Sequence, residues 1–128
     1  MRHFTFALLL LLCVPAWAEW RRVADDEAAT GYVEPAAIRM QGNTVKMWSL
    51  LDYKAVQQRE GGSPYLSVAT QFEYECAEKR FRMLAIVVYS ASMGMGKVVI
   101  FQAMPEEPWK PVQAGTRSEQ LWEIACKQ

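Results

Sequence analysis

The loop SMGMGK at 92–97 contains the residue types that can cradle a phosphate, two glycines followed by a lysine. A Walker-type loop also needs a glycine five residues before its last glycine, a Ser or Thr after the lysine, and a helix that begins there. Ala91 and Val98 occupy those two positions, and an apolar run typical of a strand follows. We therefore predict a turn between two strands, in which the glycines supply positive φ.

Carboxylates would have to carry any acid–base chemistry, because the only histidine, His3, lies in a segment predicted to be removed. A mature chain without histidine excludes a Ser-His or Cys-His nucleophile pair and a histidine-ligated zinc or haem. Asp52, Glu73 and Glu75 are the candidates for a small hydrolase. Because the last two fall opposite arginines in the register derived below, ion pairs explain them. The chain is therefore predicted not to be an enzyme and to need no cofactor or metal ion.

The N-terminal segment predicts export. A positively charged start precedes an apolar run at 4–14, and Ala-Trp-Ala at 16–18 fits the cleavage pattern of a signal peptidase. The run is shorter than the roughly 20 residues that span a bilayer as a helix. We predict a signal peptide at 1–18 and a periplasmic or secreted domain at 19–128, with no membrane span after cleavage. An uncleaved membrane anchor is the alternative.

The cysteines bear on both lipidation and covalent structure. Leu12 stands before Cys13, where lipoprotein signals usually place a small residue, so lipidation of Cys13 is not expected. Cleavage after Ala18 removes Cys13 and leaves Cys76 and Cys126. An even cysteine count in an exported chain favours a disulfide, and two cysteines allow only one pairing. Two buried, unpaired thiols are the alternative.

Length and charge favour one domain without a preference for nucleic acid. Removing 18 of 128 residues leaves 110, which is enough for a single core. Loss of Arg2 lowers the Lys and Arg count from 14 to 13 against 14 Asp and Glu, which gives a net charge of −1. Such a balance provides no general attraction to nucleic acid or to an anionic membrane.

Most of the mature chain consists of short segments with strand-like composition, which predicts an α+β fold built on an antiparallel sheet of about six strands. The predicted strands are 19–24, 30–34, 44–53, 67–76, 79–90 and 98–103. The segment SVATQFEYEC at 67–76 has the period-two pattern of a half-buried strand, with Val68, Thr70, Phe72, Tyr74 and Cys76 on one face and Ala69, Gln71, Glu73 and Glu75 on the other. The first strand is expected to lie at an edge of the sheet.

The strands 67–76 and 79–90 are predicted to form a hairpin, because only two residues separate them. One register places charged pairs on one face and apolar pairs on the other. Its pairs are Glu75–Arg80, Glu73–Arg82, Tyr74–Phe81 and Phe72–Met83. Slipping by one residue would drive two glutamates into the core, so the charges specify the register.

The C-terminal segment predicts a helix. Thr116 and Glu119 form a capping box, and an apolar stripe at helical spacing follows. That stripe consists of Leu121, Trp122, Ala125 and Cys126. Because Cys76 lies on the apolar face of its strand, a bond to Cys126 would fasten the helix to the sheet. Closing a loop of about 50 residues would contribute on the order of 4 kcal/mol in the chain-entropy model.

Five segments together resemble the surface-adhesin protein E-like family of Gram-negative bacteria. They are GYVEPAAIR (31–39), VKMWSLLDYK (45–54), FEYECAEKRFRML (72–84), YSASMGMGKVV (89–99) and GTRSEQLWEIAC (115–126). The resemblance implies a six-stranded antiparallel sheet with a C-terminal helix tied to it by a disulfide, and it places Cys76 and Cys126 in the bridging positions. It also implies adhesion to host matrix and serum proteins such as vitronectin and laminin, although this chain lacks the lipid-attachment signal of a surface lipoprotein.

These observations predict an exported, non-catalytic binding module of the bacterial envelope that recognises a protein partner in an adhesin-like manner. Trp48 is the candidate anchor, and the alternative is that Trp48 is core under the helix. Trp109, between two prolines, is predicted to clamp a sheet edge. Other functions considered are a periplasmic carrier holding a small apolar ligand between helix and sheet, and an envelope-structural protein. A homodimer formed through the edge strand 19–24 is a further expectation.

Overall fold

A computed structural model describes residues 19–105 and 107–127. Within them the chain forms an antiparallel sheet and one α-helix, as the sequence predicts. The elements are β1 (Arg21–Asp25), β2 (Ala29–Val33), β3 (Arg39–Gln41), β4 (Thr44–Gln57), β5 (Tyr65–Glu75), β6 (Arg80–Tyr89), β7 (Val98–Ala103), β8 (Lys110–Pro111) and α1 (Arg117–Cys126). The signal-peptide prediction at 1–18 lies outside the described residues.

The sheet is a meander in the order β1-β2-β4-β5-β6-β7, so the strands that follow one another mostly lie side by side. Two short strands that the sequence did not predict extend it: β3 pairs with β4, and β8 pairs with β6. β4 also continues four residues beyond the predicted end, because Gln57 pairs with Tyr65 after a shift in register. The first strand lies at an edge, as expected, and β7 forms the opposite edge.

The β5–β6 hairpin adopts the predicted register, in which Glu75 pairs with Arg80 and Glu73 with Arg82. A bulge then interrupts the pairing, since Phe72 faces Met83 but Gln71 faces Ala85. The extra residue, which is Leu84, changes the face to which the rest of β6 points. The face that carries arginines at the start of β6 therefore carries small and apolar residues further along.

Helix α1 packs on one face of the sheet and is anchored at both ends. The hydroxyl of Thr116 accepts a hydrogen bond from the backbone N–H of Glu119 at 3.3 Å, as the predicted capping box requires. At the other end Cys126 is bonded to Cys76, with their Cα atoms 5.6 Å apart. The predicted disulfide is thus confirmed. The core beneath the helix consists of Val33, Val45, Met47, Tyr74, Leu121 and Ala125.

The opposite face, here called the open face, has a second and smaller core. Leu50, Ala69 and Val87 are buried there in a row across three strands. The prediction that 67–76 is buried on one face only was wrong, because Ser67 and Ala69 on the open face are also buried. Their cover is the loop at 90–97, which folds back over the ends of β4 and β5.

Side chains from distant strands hold this loop down. The carboxylate of Asp52 accepts a hydrogen bond from the N–H of Met93 at 3.0 Å. The hydroxyl of Ser67 accepts from the N–H of Gly94 at 2.9 Å and donates to the carbonyl of Ala91 at 2.6 Å. The loop at 90–97 is therefore a cover for the open face as well as a turn.

The glycines of this loop have positive φ, as predicted. Gly94 has φ 70° and Gly96 has φ 78°, a region that favours glycine. A Cβ at Gly96 would also approach the Ser90 hydroxyl to 2.4 Å. Met93 has φ 58° and packs against the core of the open face, so the loop places an apolar side chain where the sheet needs one.

Candidate functional site

Trp48 lies on the open face, so the alternative that it is core under the helix was wrong. The neighbouring Met47 takes the position beneath α1 and is completely buried, and side chains alternate along a strand. Trp48 is half-buried against the row that contains Leu50. One part of the indole is thus held by the core while another part meets solvent. Its assignment as a partner-binding residue stays a prediction.

Further aromatic residues surround the same row. Trp20 and Tyr32 are half-buried against it, and Tyr32 pairs with Leu50 across β2 and β4. Phe101 on β7 pairs with Val87 and is 66% exposed. The sequence alone does not indicate that these three residues belong to one surface, because their common face depends on the pairing of five strands. The only local signal was their aromatic character within predicted strands or beside one.

One end of the open face carries arginines stacked on Trp109. The guanidinium of Arg82 lies 4.2 Å from the centre of the Trp109 ring, and that of Arg80 lies 5.6 Å from it. Trp109 therefore lies over the start of β6, as predicted for a clamp at the sheet edge. Arg82 also contacts Glu73 at 2.6 Å, and Arg80 contacts Glu75 at 2.7 Å. These contacts hold both arginines in fixed positions.

The three carboxylates considered for catalysis have structural partners and lie apart. Glu73 and Glu75 bind the arginines of β6, and Asp52 holds the loop at 90–97. Among residues 19–105 and 107–127, no group of three or more His, Cys, Asp or Glu residues could hold a metal ion. Each of the three carboxylates thus makes a structural contact within the described part of the chain.

The two edges of the sheet differ in character. β1 carries exposed Arg21, Arg22 and Asp25, and its pairing with β2 is interrupted by a bulge, features that discourage pairing with another sheet. β7 is apolar, and its residues Val98 and Phe101 are both more than half exposed. The exposed apolar edge is therefore β7, whereas the sequence indicated the first strand as the edge that would pair in a homodimer.

The chain thus forms a small α+β domain, with a helix fastened to one face of a sheet and an aromatic face left open. The family model described as surface-adhesin protein E matches residues 20–127. The chain therefore belongs to the surface-adhesin protein E family, whose description is that of an adhesin and not of an enzyme.

Solved structures of protein E from Haemophilus influenzae share the fold. Crystal form II aligns with a TM-score of 0.62 at 12% sequence identity and covers 84% of this chain and 96% of that one. A second structure aligns with a TM-score of 0.60 at 13% identity, covering 84% and 93% of the two chains. The protein from a non-typeable strain aligns with a TM-score of 0.56 at 12% identity, covering 85% and 84%. Among curated proteins, none matches the chain.

The part of the chain that the structure describes contains no helix that is long and apolar enough to cross a membrane. The described helix, α1, has 10 residues, and two of them are buried against the sheet. The open face and the exposed edge β7 both present aromatic or apolar side chains to solvent.

Proposed function

We propose that the mature chain is an exported, non-catalytic module that binds a protein partner through the open face, with Trp48 as an anchor. The observation that supports this most directly is the half-buried ring of Trp48 beside Trp20 and Tyr32. Protein interfaces concentrate their binding energy in Trp, Tyr and Arg side chains, and rings fixed by a core lose little entropy on binding. The membership in an adhesin family agrees with this role.

The surroundings of Trp48 suit a surface that a protein partner can cover. Gln71 pairs with Trp48 across the strands, and Lys46 lies two residues before Trp48 on β4. Both side chains are half-buried and offer polar contacts at the rim. Arg82 is fixed by Trp109 and Glu73, so it can donate hydrogen bonds without losing further rotamer freedom. An aromatic centre with a polar rim is the usual composition of such interfaces.

The test is a comparison of binding by two variants of residues 19–128. Proteins retained by the immobilised chain from its own envelope extract and from host matrix preparations are first purified. The dissociation constant of each is then measured for Trp48→Ala and for Met40→Ala. Met40 is 57% exposed but lies on β3 opposite Val45, on the helix side, which makes it the matched control.

Trp48→Ala is expected to weaken binding by about 10-fold to 100-fold, as removal of an anchor does. Met40→Ala should leave the affinity unchanged. Circular dichroism and melting temperature must show that both variants are folded. Equal affinities for the two variants would contradict binding through the open face. Retention of envelope proteins alone would favour an envelope-structural role over adhesion.

We also propose that a homodimer, if two copies pair at a sheet edge, uses β7 and not β1. The apolar and open edge of β7 supports this choice, because β1 is charged and bulged. Light scattering over a wide concentration range should show dimers for the wild type and monomers for Phe101→Lys. Val56→Lys, at another exposed apolar residue, should remain dimeric. A single monomer mass for the wild type throughout would contradict the proposal.

A further inference from the structure

A cavity of about 150 Å³ lies between the N-terminal half of α1 and the sheet, on the face opposite Trp48. The helix is held to the sheet at separate points. The disulfide fixes its end at Cys126, while the side-chain amide of Gln120 donates to the carbonyl of Val23 at 2.7 Å. Small residues on the floor, Gly31 and Ser49, leave the space between these points unfilled.

The walls of the cavity are mostly apolar. Its apolar lining residues include Val23, Leu51, Val68, Phe72 and Leu121. A protein cavity of this volume with apolar walls is large enough for one benzene-sized ring. The cavity is partly open to solvent. The size and the lining thus define a ligand with an apolar body of about one ring.

One wall carries the phenol of a buried tyrosine. Tyr74 lines the cavity, is 1% exposed, and packs its ring against Phe72 and Phe81. Burial raises the pKa of Tyr74 well above its ordinary value, so the phenol stays neutral and keeps its proton. A buried hydroxyl is normally satisfied by protein, water or ligand. Tyr74 is therefore a donor available to a bound molecule.

The lining of the cavity includes a cationic side chain. Among the described residues that line it, Arg117 is the only charged one. Its guanidinium is 41% exposed and lies 3.5 Å from the carboxylate of Asp26, which is itself 57% exposed, so the ion pair is loose. Arg117 can therefore turn to an incoming anion at small cost. Its planar group suits a carboxylate in particular.

We propose that this cavity binds a small carboxylate whose apolar body has the size of one aromatic ring. The ring lies against Leu51, Phe72 and Leu121, and the carboxylate pairs with Arg117. Tyr74 lies toward the far end, since it pairs with Val45. Arg117 contacts Asp26, which lies just before β2, and the first residue of β2, Ala29, pairs with Tyr53 toward the other end of β4. A hydroxyl on the ring, opposite the carboxylate, is therefore the group that Tyr74 would bond.

The site is distinct from the protein-binding face, because strands separate the two. The open face carries Trp48 on one side of β4, whereas Ser49 and Leu51 of the cavity lining point to the other side. Occupation of the cavity would fill space under the helix and should raise the melting temperature of the chain. A failure of either proposal leaves the other intact.

The experiment is a titration of ¹⁵N-labelled residues 19–128 followed by amide chemical shifts. The probes are phenylacetate, 4-hydroxyphenylacetate and benzylamine, which has a similar ring and the opposite charge. Phenylacetate is expected to produce saturable shifts around the cavity with a dissociation constant of about 1 mM, as its size allows. 4-Hydroxyphenylacetate should bind more tightly by about threefold, and benzylamine should not saturate.

Two variants separate the contributions. Arg117→Gln should weaken both acids by about fivefold, whereas Arg59→Gln, in an exposed loop, should have no effect. Tyr74→Phe should abolish the preference for the hydroxylated acid while the protein remains folded, because the substitution removes the hydroxyl and keeps the ring. The proposal would be overturned if the acids gave no saturable shifts or shifts centred away from the cavity. It would also be overturned if benzylamine bound equally well or if the affinities did not depend on Arg117.

Discussion

The two faces of the sheet are covered in different ways. On one face a complete helix is fixed by a covalent bond and by a core that includes Tyr74 and Leu121. On the other face a short loop is fixed by hydrogen bonds to Asp52 and Ser67 and by the packing of Met93, and it covers one end of the strands. The same strands supply both faces, because their side chains alternate. The helix face thus has a covalent attachment that the open face lacks, and the open face keeps aromatic side chains partly exposed.

The largest effect expected from this comparison is the loss of the disulfide. Replacing both Cys76 and Cys126 by serine should lower stability by about 3–4 kcal/mol and the melting temperature by about 15 °C. The helix should become the first segment to exchange its amides, while the β5–β6 hairpin remains protected. Calorimetry and hydrogen exchange measure both changes. A double variant that melts within a degree or two of the wild type, with α1 still protected, would show that packing alone fixes the helix.

A smaller effect is expected on the open face from Ser67→Ala. Ser67 is fully buried and bonds both Gly94 and Ala91, so its loss leaves two backbone groups of the loop without partners. The cost should be about 1–3 kcal/mol, with the loop opening before the sheet melts. Ser63→Ala, in an exposed loop, is the matched control for urea unfolding. An equal stability of both variants would mean that the loop is not held by Ser67.

The charged end of the open face should contribute less. Glu73→Gln removes the carboxylate that Arg82 binds, and the Glu73 side chain is only 8% exposed. A fully buried pair would cost more, but Arg82 keeps contact with solvent, so we expect about 1–2 kcal/mol. Glu75→Gln, whose partner Arg80 is more exposed, should cost less. Urea unfolding of the two variants tests the order, and a larger loss for Glu75→Gln would contradict it.

The smallest effect concerns acid pH. A hydrogen bond from Lys54 lowers the pKa of Asp25, backbone hydrogen bonds from Ala29 and Ala28 lower that of Asp26, and a hydrogen bond from Lys79 lowers that of Glu119. A depressed carboxyl pKa stabilises the folded state above the unfolded value, and the gain is lost as pH falls.

The melting temperature should therefore be constant from about pH 7 to pH 5 and should decline gradually below about pH 4.5, where the unfolded carboxyls begin to take up protons. The helix side should respond first, since Glu119 caps α1. Asp26→Asn should reduce the slope of the decline. A melting temperature that rises on acidification would contradict the sign of these shifts.

Local pattern was sufficient to predict much of the helix face. The β5–β6 register followed from charges that alternate with apolar residues, and the start of α1 followed from Thr116 and Glu119. The disulfide followed from cysteine count and from the face on which each cysteine lies. The register and the helix start depend on residues that are close in sequence, and the two remaining cysteines allow only one disulfide.

The open face could not be predicted in the same way. The loop at 90–97 lies on Asp52 and Ser67, which are about 40 and 27 positions away from the residues they bond, and its glycines indicate only a turn. The bulge at Leu84 breaks the alternation on β6 without any change in composition. The side of the sheet on which Trp48 lies depends on where α1 packs, and only the three-dimensional pairing fixes that.

The disulfide has a further consequence for the fate of a damaged molecule. It joins residues 50 positions apart, so β6, β7, β8 and the helix all lie within one covalent ring. A protease that cuts an exposed site within this ring, for example beside Lys97 or Lys110, opens the ring but releases no fragment. The nicked chain stays a single molecule until a reductant reaches the bond. In an oxidising compartment the module should therefore keep its parts together after a cut that would divide a reduced chain.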